Sequence, residues 1–580
     1  MKTTISRVAV VAALTAFAAP RVAPAQQVES IDLAAIGRIR DEGFNRSKIM
    51  ETASWLTDVH GPRLTGSPTA KAAGDWTIQA LKSWGISNPR YESWGPFGRG
   101  WIADRFSMQV LSPVAWPVIA YPGAWSDGTN GVQAGDVMYV RLDSTADTAR
   151  FRGKLKGKWI ISASPRVVSP RCTPDAARQT DAALAAMENP PAAGGGRAGG
   201  GRGNNVAALM AAAACRGESF DSAAFVAAQA AAQLNAAGRG AAGGGRGAGG
   251  GGRGAGGGRG GPAPFVLNNF LLAQGALGIL APGTGDDGTV FPGGNGNRAG
   301  DAPKGLPSFS LAAEHYGRIF RMVQKNIPVK IEAEIKARFI SGDLNSFNIV
   351  AEIPGTDPVL KDDVVMLGAH FDSWQSGTGA TDNAAGSAVM LEAMRILKAL
   401  NLPMKRTVRI GLWTGEEQGL LGSRAYVRQH FGYVDSTGQH FTPEREKITG
   451  YFNVDNGTGA IRGVYTQGND SIAPVFKQWL APFKDLGAIS VTTQNTGGTD
   501  HQSFDAVGIP GFQFIQDPLD YGSRTHHSNM DLYERLMPHD MMQNAVIVAA
   551  FVYTAANRDG MLPRKPAPTG IGGGRGRGGS

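Results

Sequence analysis

The chain has 580 residues, of which 42% are hydrophobic and 18% charged, and it carries a formal net charge of +9. Without Lys2, Arg7 and Arg21 of the acid-free first 25 residues the charge is +6, and without eight arginines of Gly-rich tracts (Arg197, Arg202, Arg239, Arg246, Arg253, Arg259, Arg575 and Arg577) it is −2. A body this close to neutral removes the case for a nucleic-acid partner that the high pI would otherwise make, and a chain of this length is expected to form two or more domains.

The opening stretch, MKTTISRVAVVAALTAFAAPRVAPAQQ, has a basic start, an apolar middle and small residues at Ala23-Pro24-Ala25. It reads as a secretory signal peptide over residues 1–25, which predicts a secreted or periplasmic protein. No later apolar run is long enough to span a membrane. Residues 31–116 are mixed, with helical spacing over Ser47–His60 capped by Ser47, an amphipathic helix over Ala70–Trp84 and a strand at Arg105–Leu111. Between the helices, His60-Gly61-Pro62-Arg63-Leu64-Thr65-Gly66-Ser67 is a turn-rich joint in which His60 is expected to be structural rather than a ligand.

Residues 117–337 change texture. Short strands are predicted at Val137–Arg141, Lys158–Ser162 and Leu277–Ala281, and helices at Phe265–Ala273 and Ala312–Gln324. No acids and histidines cluster there, so this small strand-rich domain is assigned no catalysis. Two tracts, 194–204 and 238–261, are too Gly-dense to bury apolar surface against their chain entropy and are expected to be disordered, as is the Gly/Arg tail within 558–580. An Ala-rich, marginal helix is expected between the tracts, over Val206–Ala237. Gly-Arg repeats can bind RNA, but without interleaved aromatics a flexible surface insertion is the expected reading. Cys172 and Cys215 are the only cysteines; an exported chain can pair them, although their separation alone does not establish a disulfide.

From 338 to 557 the pattern is continuous α/β. Strands are predicted at Asn348–Ile353, Val364–Leu367, Thr407–Leu412, Gly450–Val454, Val464–Thr466 and Gly511–Phe514. Helices are predicted at Ala384–Leu400, Gly422–His430, Ile472–Asp485 and His539–Thr554. Val364–Leu367, the helix after it and Thr407–Leu412 form a βαβ unit. Just past its two strands come His370 with Asp372 and Glu416 with Glu417, at the sheet edge where open α/β folds bind ligands. Asp382 lies in the Gly-rich loop before the helix, Asp455 follows a further strand, and His527 sits in a late loop.

Imidazoles and carboxylates gathered at one edge suit a zinc-type site, although neither H-E-x-x-H nor CxxC is present. A two-metal hydrolase needs ligands for each ion, one bridging carboxylate and a base that does not ligate. The expected assignment puts His370 and Asp455 on one ion, Glu417 and His527 on the other, and Asp382 between them. Asp372 is expected to accept the free imidazole N–H of His370, which leaves Glu416 as general base.

The set GAHFDS, GATDNAAGSA, TGEEQGLLGS, NVDNGTG, GGTDHQSF with GIPG, and HHSNMD resembles the co-catalytic zinc exopeptidases, the family of bacterial leucyl aminopeptidases, glutamate carboxypeptidase II and carboxypeptidase Q. The GPRLTGS phrase agrees with it. The resemblance implies a mixed-sheet α/β core of the phosphorylase/hydrolase-like kind, two zinc ions bridged by Asp382, and Glu416 as the base. It also implies that the last ligand is one of His526 and His527; the spacing of His527 to Asp531 matches the family loop, so His527 is preferred. His526 is then expected to donate to the oxyanion. Asp500-His501 is expected to be structural or supporting, and Arg524 to be an exposed loop cation rather than a contact for a substrate carboxylate. The region 117–337 resembles an inserted protease-associated domain through GKLKGKWIISAS and AQGALGILAPG, with the Gly/Arg tracts as departures. The implied activity is removal of N-terminal residues from peptides or dipeptides; the alternatives are a carboxypeptidase of the same family and a non-catalytic binding protein on the same scaffold. Oligomeric state is not legible.

Overall fold

The computed structural model describes residues 28–566 apart from 143–144, 169–170, 173, 190–214, 216, 218–263 and 295. The expected signal peptide, both Gly/Arg tracts and positions 567–580 of the tail lie outside the described residues, as does the Ala-rich stretch between the tracts apart from Cys215 and Gly217.

An eight-stranded mixed sheet forms the core. Its order is Ser87–Trp94, Ser346–Ile353, Thr407–Trp413, Val364–His370, Ile448–Asn453, Gly511–Gln516, Ile461–Tyr465 and Ser490–Thr492. The four strands Thr407–Trp413, Val364–His370, Ile448–Asn453 and Gly511–Gln516 run parallel. All seven residues of Val364–His370 are buried, as expected of a largely apolar run covered on both faces. On one face lies the crossover helix Ala385–Ala399, packed against Pro538–Asn557 and Leu33–Asn45. On the other, Trp413 and Tyr451 pack with Tyr426 of helix Leu421–His430 and Phe504 of helix His501–Asp505.

Most predicted elements fall within a few residues of the observed ones. The helix predicted over Ile472–Asp485 instead divides into an α-helix, Ala473–Leu480, and a 3₁₀ segment, Ala481–Leu486. Pro482 explains the break, since it has no N–H to continue the ladder.

The second sheet runs Trp116–Pro117, Gly100–Ser112, Lys330–Ile340, Gln133–Tyr139, Lys158–Ile161, Gly278–Pro282, Ser308–Leu311 and Ala120–Pro122. Helix Ala313–Gln324 packs on it around Trp159, Phe309 and Tyr316. The long antiparallel pair Gly100–Ser112 and Lys330–Ile340 carries the chain into and out of this unit. Trp94, Phe97, Trp101 and Trp125 form an aromatic cluster with Trp374 of the core, which joins the two sheets' units. Cys172 and Cys215 are disulfide-bonded, with Cα atoms 5.9 Å apart.

Candidate metal centre

The parallel register brings the chemistry to one edge. His370 pairs with Trp413 in neighbouring strands and Gly368 with Asn453, so His370, the 414–417 turn and Asp455 emerge side by side. The turn is tight at Gly415, whose φ of +73° and 2.7 Å clearance to the Trp94 ring exclude a side chain. Asp382 occupies a non-helical turn ahead of the crossover helix, at φ −133° and ψ 84°. Asp531 holds that turn by accepting from the backbone N–H of Thr381 over 2.5 Å and of Asp382 over 3.2 Å.

Asp382 stands between the histidines. Its Oδ1 is 3.2 Å from His370 Nε2 and its Oδ2 is 3.3 Å from His527 Nε2. His370 Nε2 is also 3.2 Å from Asp455 Oδ1, and His527 Nε2 is 2.8 Å from Glu417 Oε2. The structure therefore brings together all five residues expected to ligate. Three groups have donor atoms within 4.8 Å of one another: His370 with Glu416 and Asp455, His370 with Asp382 and Glu417, and Asp382 with His526 and His527. His526 stacks on His527 at 3.6 Å between rings, but its Nε2 is 3.7 Å from Asp382 Oδ2, farther than that of His527.

Asp372 differs in detail from the expectation. His370 Nδ1 lies 3.0 Å from the Asp372 carbonyl oxygen and 3.6 Å from its carboxylate Oδ1. The carboxylate is otherwise engaged, accepting from Thr65 Oγ1 over 2.7 Å and from the backbone N–H of Glu416 over 3.3 Å. Asp372 thus orients His370 through its main chain and the base-bearing turn through its side chain.

Burial raises the Glu416 carboxyl well above its ordinary range, with His370 opposing and Asp455 and Asp500 reinforcing the rise. Glu417 is raised by burial and by Asp382. Burial alone would lower His370, but Asp455 and Glu416 outweigh it and hold the imidazole well above its usual value. His526 is pushed down to about 4 by burial and by His527.

The donor set fits divalent cations. Asp382 Oδ2 and Glu417 Oε1 are buried without a hydrogen-bond partner. Like charges near 4 Å apart repel by about 4 kcal/mol at an effective dielectric of 20, so this many carboxylates require positive charge beyond what the histidines supply. Mixed nitrogen and oxygen donors on rigid strand ends suit zinc.

Several residues that shape the site were not singled out from the sequence. The buried guanidinium of Arg63 donates to the carbonyls of Leu56, Phe371, Thr378 and Gly379, fixing the loop between His370 and Asp382. Thr65 links Asp372 to Gly415, and the Tyr521 hydroxyl donates to Asp382 Oδ1 over 3.0 Å. Trp374 stands edge-on to His527. The GPRLTGS phrase was the sole trace of the first two. His60 stacks on Trp55 and belongs to none of the three donor groups among the described residues. His501 is buried and 3.2 Å from the Thr496 carbonyl. Arg524 is not an exposed loop cation: its side chain is 12% exposed and pairs with Asp175 at 2.8 Å, because a segment of the inserted region lies over this loop.

Residues 348–552 match the model of peptidase family M28. This segment, less than half of the chain, is similar to peptidase family M28. The match covers all six motifs and leaves out the turn-rich joint on the N-terminal side. Carboxypeptidase Q of Mus musculus is 31% identical over 259 residues, 45% of this chain and 52% of that protein. Leupeptin-inactivating enzyme 1 of Streptomyces exfoliatus is 34% identical over 174 residues, 30% of this chain and 36% of that protein. The chain spans about half the length of the curated carboxypeptidase Q relatives it matches. The crystal structure of a peptidase M28 precursor from Shewanella amazonensis shares the fold, with a TM-score of 0.57, 23% identity, and coverage of 92% of this chain and 98% of that one. These similarities fit a co-catalytic zinc exopeptidase core.

Proposed function

We propose that the chain is an exported zinc-dependent exopeptidase that removes N-terminal residues from peptides or dipeptides, with Glu416 as general base. One observation carries the reading: Asp382 reaches His370 with one oxygen and His527 with the other, while Asp455 and Glu417 complete the two sides. In this arrangement His370 and Asp455 would hold one ion, His527 and Glu417 the second, and Asp382 both. Two zinc ions bound there would supply Lewis acidity, polarising the scissile carbonyl and making water a usable nucleophile near neutral pH.

The rest is done by this chain's side chains. Glu416 takes one proton from the attacking water and delivers it to the leaving amine nitrogen, so the base is restored at the end of each turnover. Asp372 keeps His370 Nε2 facing the centre by engaging Nδ1. His526, stacked on His527 beside Asp382, donates to the carbonyl oxygen as negative charge develops.

The N-terminal reading over a carboxypeptidase is supported by Arg524. This loop cation donates to Asp175 and Thr289 and does not present its charge for a substrate carboxylate. We further place residues 117–337 as an inserted protease-associated domain, its sheet widened by strand Gly100–Ser112, which lies before that range and pairs with Lys330–Ile340, and export as directed by residues 1–25.

The test is hydrolysis of one peptide set, free or acetylated at the N-terminus, with and without a chelator and with zinc added back. Chelator-sensitive cleavage confined to the free-amine peptides is expected. Cleavage of the acetylated peptides from the C-terminus would move the activity to the carboxypeptidase branch. No cleavage of either, despite bound zinc, would leave a binding protein on a peptidase scaffold.

A further inference from the structure

The histidine loop, residues 517–531, is held from outside by a second piece of chain. Residues 174–188 leave the inserted region just after Cys172, which is bonded to Cys215, and run over the loop onto the core. Ala177 and Leu519 exchange backbone hydrogen bonds of 3.2 and 2.8 Å. Asp175 accepts from Arg524 over 2.8 Å and, through its carbonyl, from Ser523 Oγ over 3.3 Å. Arg178 donates to Asp517 over 2.8 Å and to Asp540 over 2.7 Å, and Gln179 N donates to Asp517 over 2.8 Å. Beyond the loop, helix Asp181–Glu188 docks on strand Ser490–Thr492 through Glu188 and the Met187 carbonyl.

Those contacts bracket the loop's functional residues. Tyr521, two positions after the Leu519 bridge, reaches the expected bridging carboxylate Asp382; His527, three after Arg524, reaches Glu417. Leu519 and His527 both sit at positive φ, 44° and 61°, where non-glycine residues are strained and persist only under outside constraint.

We infer that residues 174–188 are a positioning strap for the metal centre, with Asp175 and Arg178 setting the places of Tyr521, His526 and His527. This rests on the zinc peptidase reading. The strap touches no reacting atom; it narrows the loop to the arrangement in which Tyr521 meets Asp382 and His527 meets Glu417. An insertion far from the ligands in sequence thereby becomes part of the site.

The test is a double variant, Asp175→Ala with Arg178→Ala, compared with wild type and with Glu188→Ala, which loosens only the far end of the strap. Zinc affinity is measured by competition with a chromophoric chelator on protein shown to be folded by its metal-free melting curve, and kcat and KM are measured separately. The expected result is zinc binding weakened about 10–100-fold, the range for residues that support metal ligands, with kcat lowered and KM little changed. Glu188→Ala should match wild type, and Asp175→Glu should recover most of the affinity lost in Asp175→Ala. Wild-type zinc affinity and kcat in the folded double variant would overturn the inference. Where the double variant does not fold, Arg178→Lys and Asp175→Asn carry the same comparison singly. A wild-type protein that binds zinc and cleaves nothing would overturn the peptidase reading, while the affinity comparison would still decide the strap.

Discussion

Thr65 Oγ1 donates to Asp372 Oδ2 over 2.7 Å and accepts from the Gly415 N–H over 2.8 Å, across 307 and 350 positions of chain. One hydroxyl thus ties the residue that orients His370 to the turn that carries Glu416 and Glu417. Replacing it with an isosteric methyl leaves a buried carboxylate oxygen and a buried N–H unpaired. Thr65→Val is expected to lower stability by about 1–3 kcal/mol. It should lower kcat by about tenfold, the equivalent of about 1.4 kcal/mol, with KM little affected. Denaturant unfolding and steady-state kinetics check the two parts.

Glu416→Gln keeps the shape of the turn and removes the proton acceptor. Turnover is expected to fall by roughly 10²–10⁴-fold while metal content stays at the wild-type level. Asp382→Ala should lose both, since that carboxylate faces both histidines. Metal analysis alongside activity separates the two outcomes. Near-wild-type turnover in Glu416→Gln would remove Glu416 from the role of base.

Removing metal should destabilise the fold as well as silence it, because Asp382, Glu416, Glu417 and Asp455 are left facing one another at a buried sheet edge. A ligand present at a thousand times its dissociation constant adds about 4 kcal/mol to stability. The melting temperature is therefore expected to drop on chelation and to recover with zinc. In Asp382→Ala neither treatment should move it.

A fourth expectation concerns the core. Arg395 in the crossover helix donates to Glu42 over 2.8 Å and to Glu392 over 2.8 Å, and Glu392 also accepts from Ser47 Oγ and Lys48 N. Arg395→Met would strand these buried carboxylates and is expected to cost about 3–5 kcal/mol. Burial by itself would raise the Glu42 carboxyl, but Arg46 and Arg395 outweigh it and hold it below its usual 4.5. A group shifted downward on folding stabilises above its unfolded value and loses that contribution as pH falls through the folded one. Unfolding free energies should therefore decline below about pH 4.5, and less steeply in Arg395→Met, as read from denaturant curves across pH 3–7.

Much of the core was legible because its signals are local. Val364–His370 is a largely apolar run with every residue buried, and a 15-residue helix follows it, so the βαβ unit could be read from period and length. The rule that ligands bind at the carboxyl ends of parallel strands then brought His370, Glu416, Glu417 and Asp455 to one edge before any contact was known. What tertiary structure alone decided involves partners hundreds of positions apart. Arg63 gains its meaning from the carbonyls of Phe371, Thr378 and Gly379, and Tyr521 from Asp382. Arg524 is neutralised by Asp175, 349 positions away, and Cys172 finds Cys215. A backbone period is written into neighbouring residues, whereas a hydrogen bond's partner is set by how sheets, loops and the inserted region pack, which no local pattern encodes.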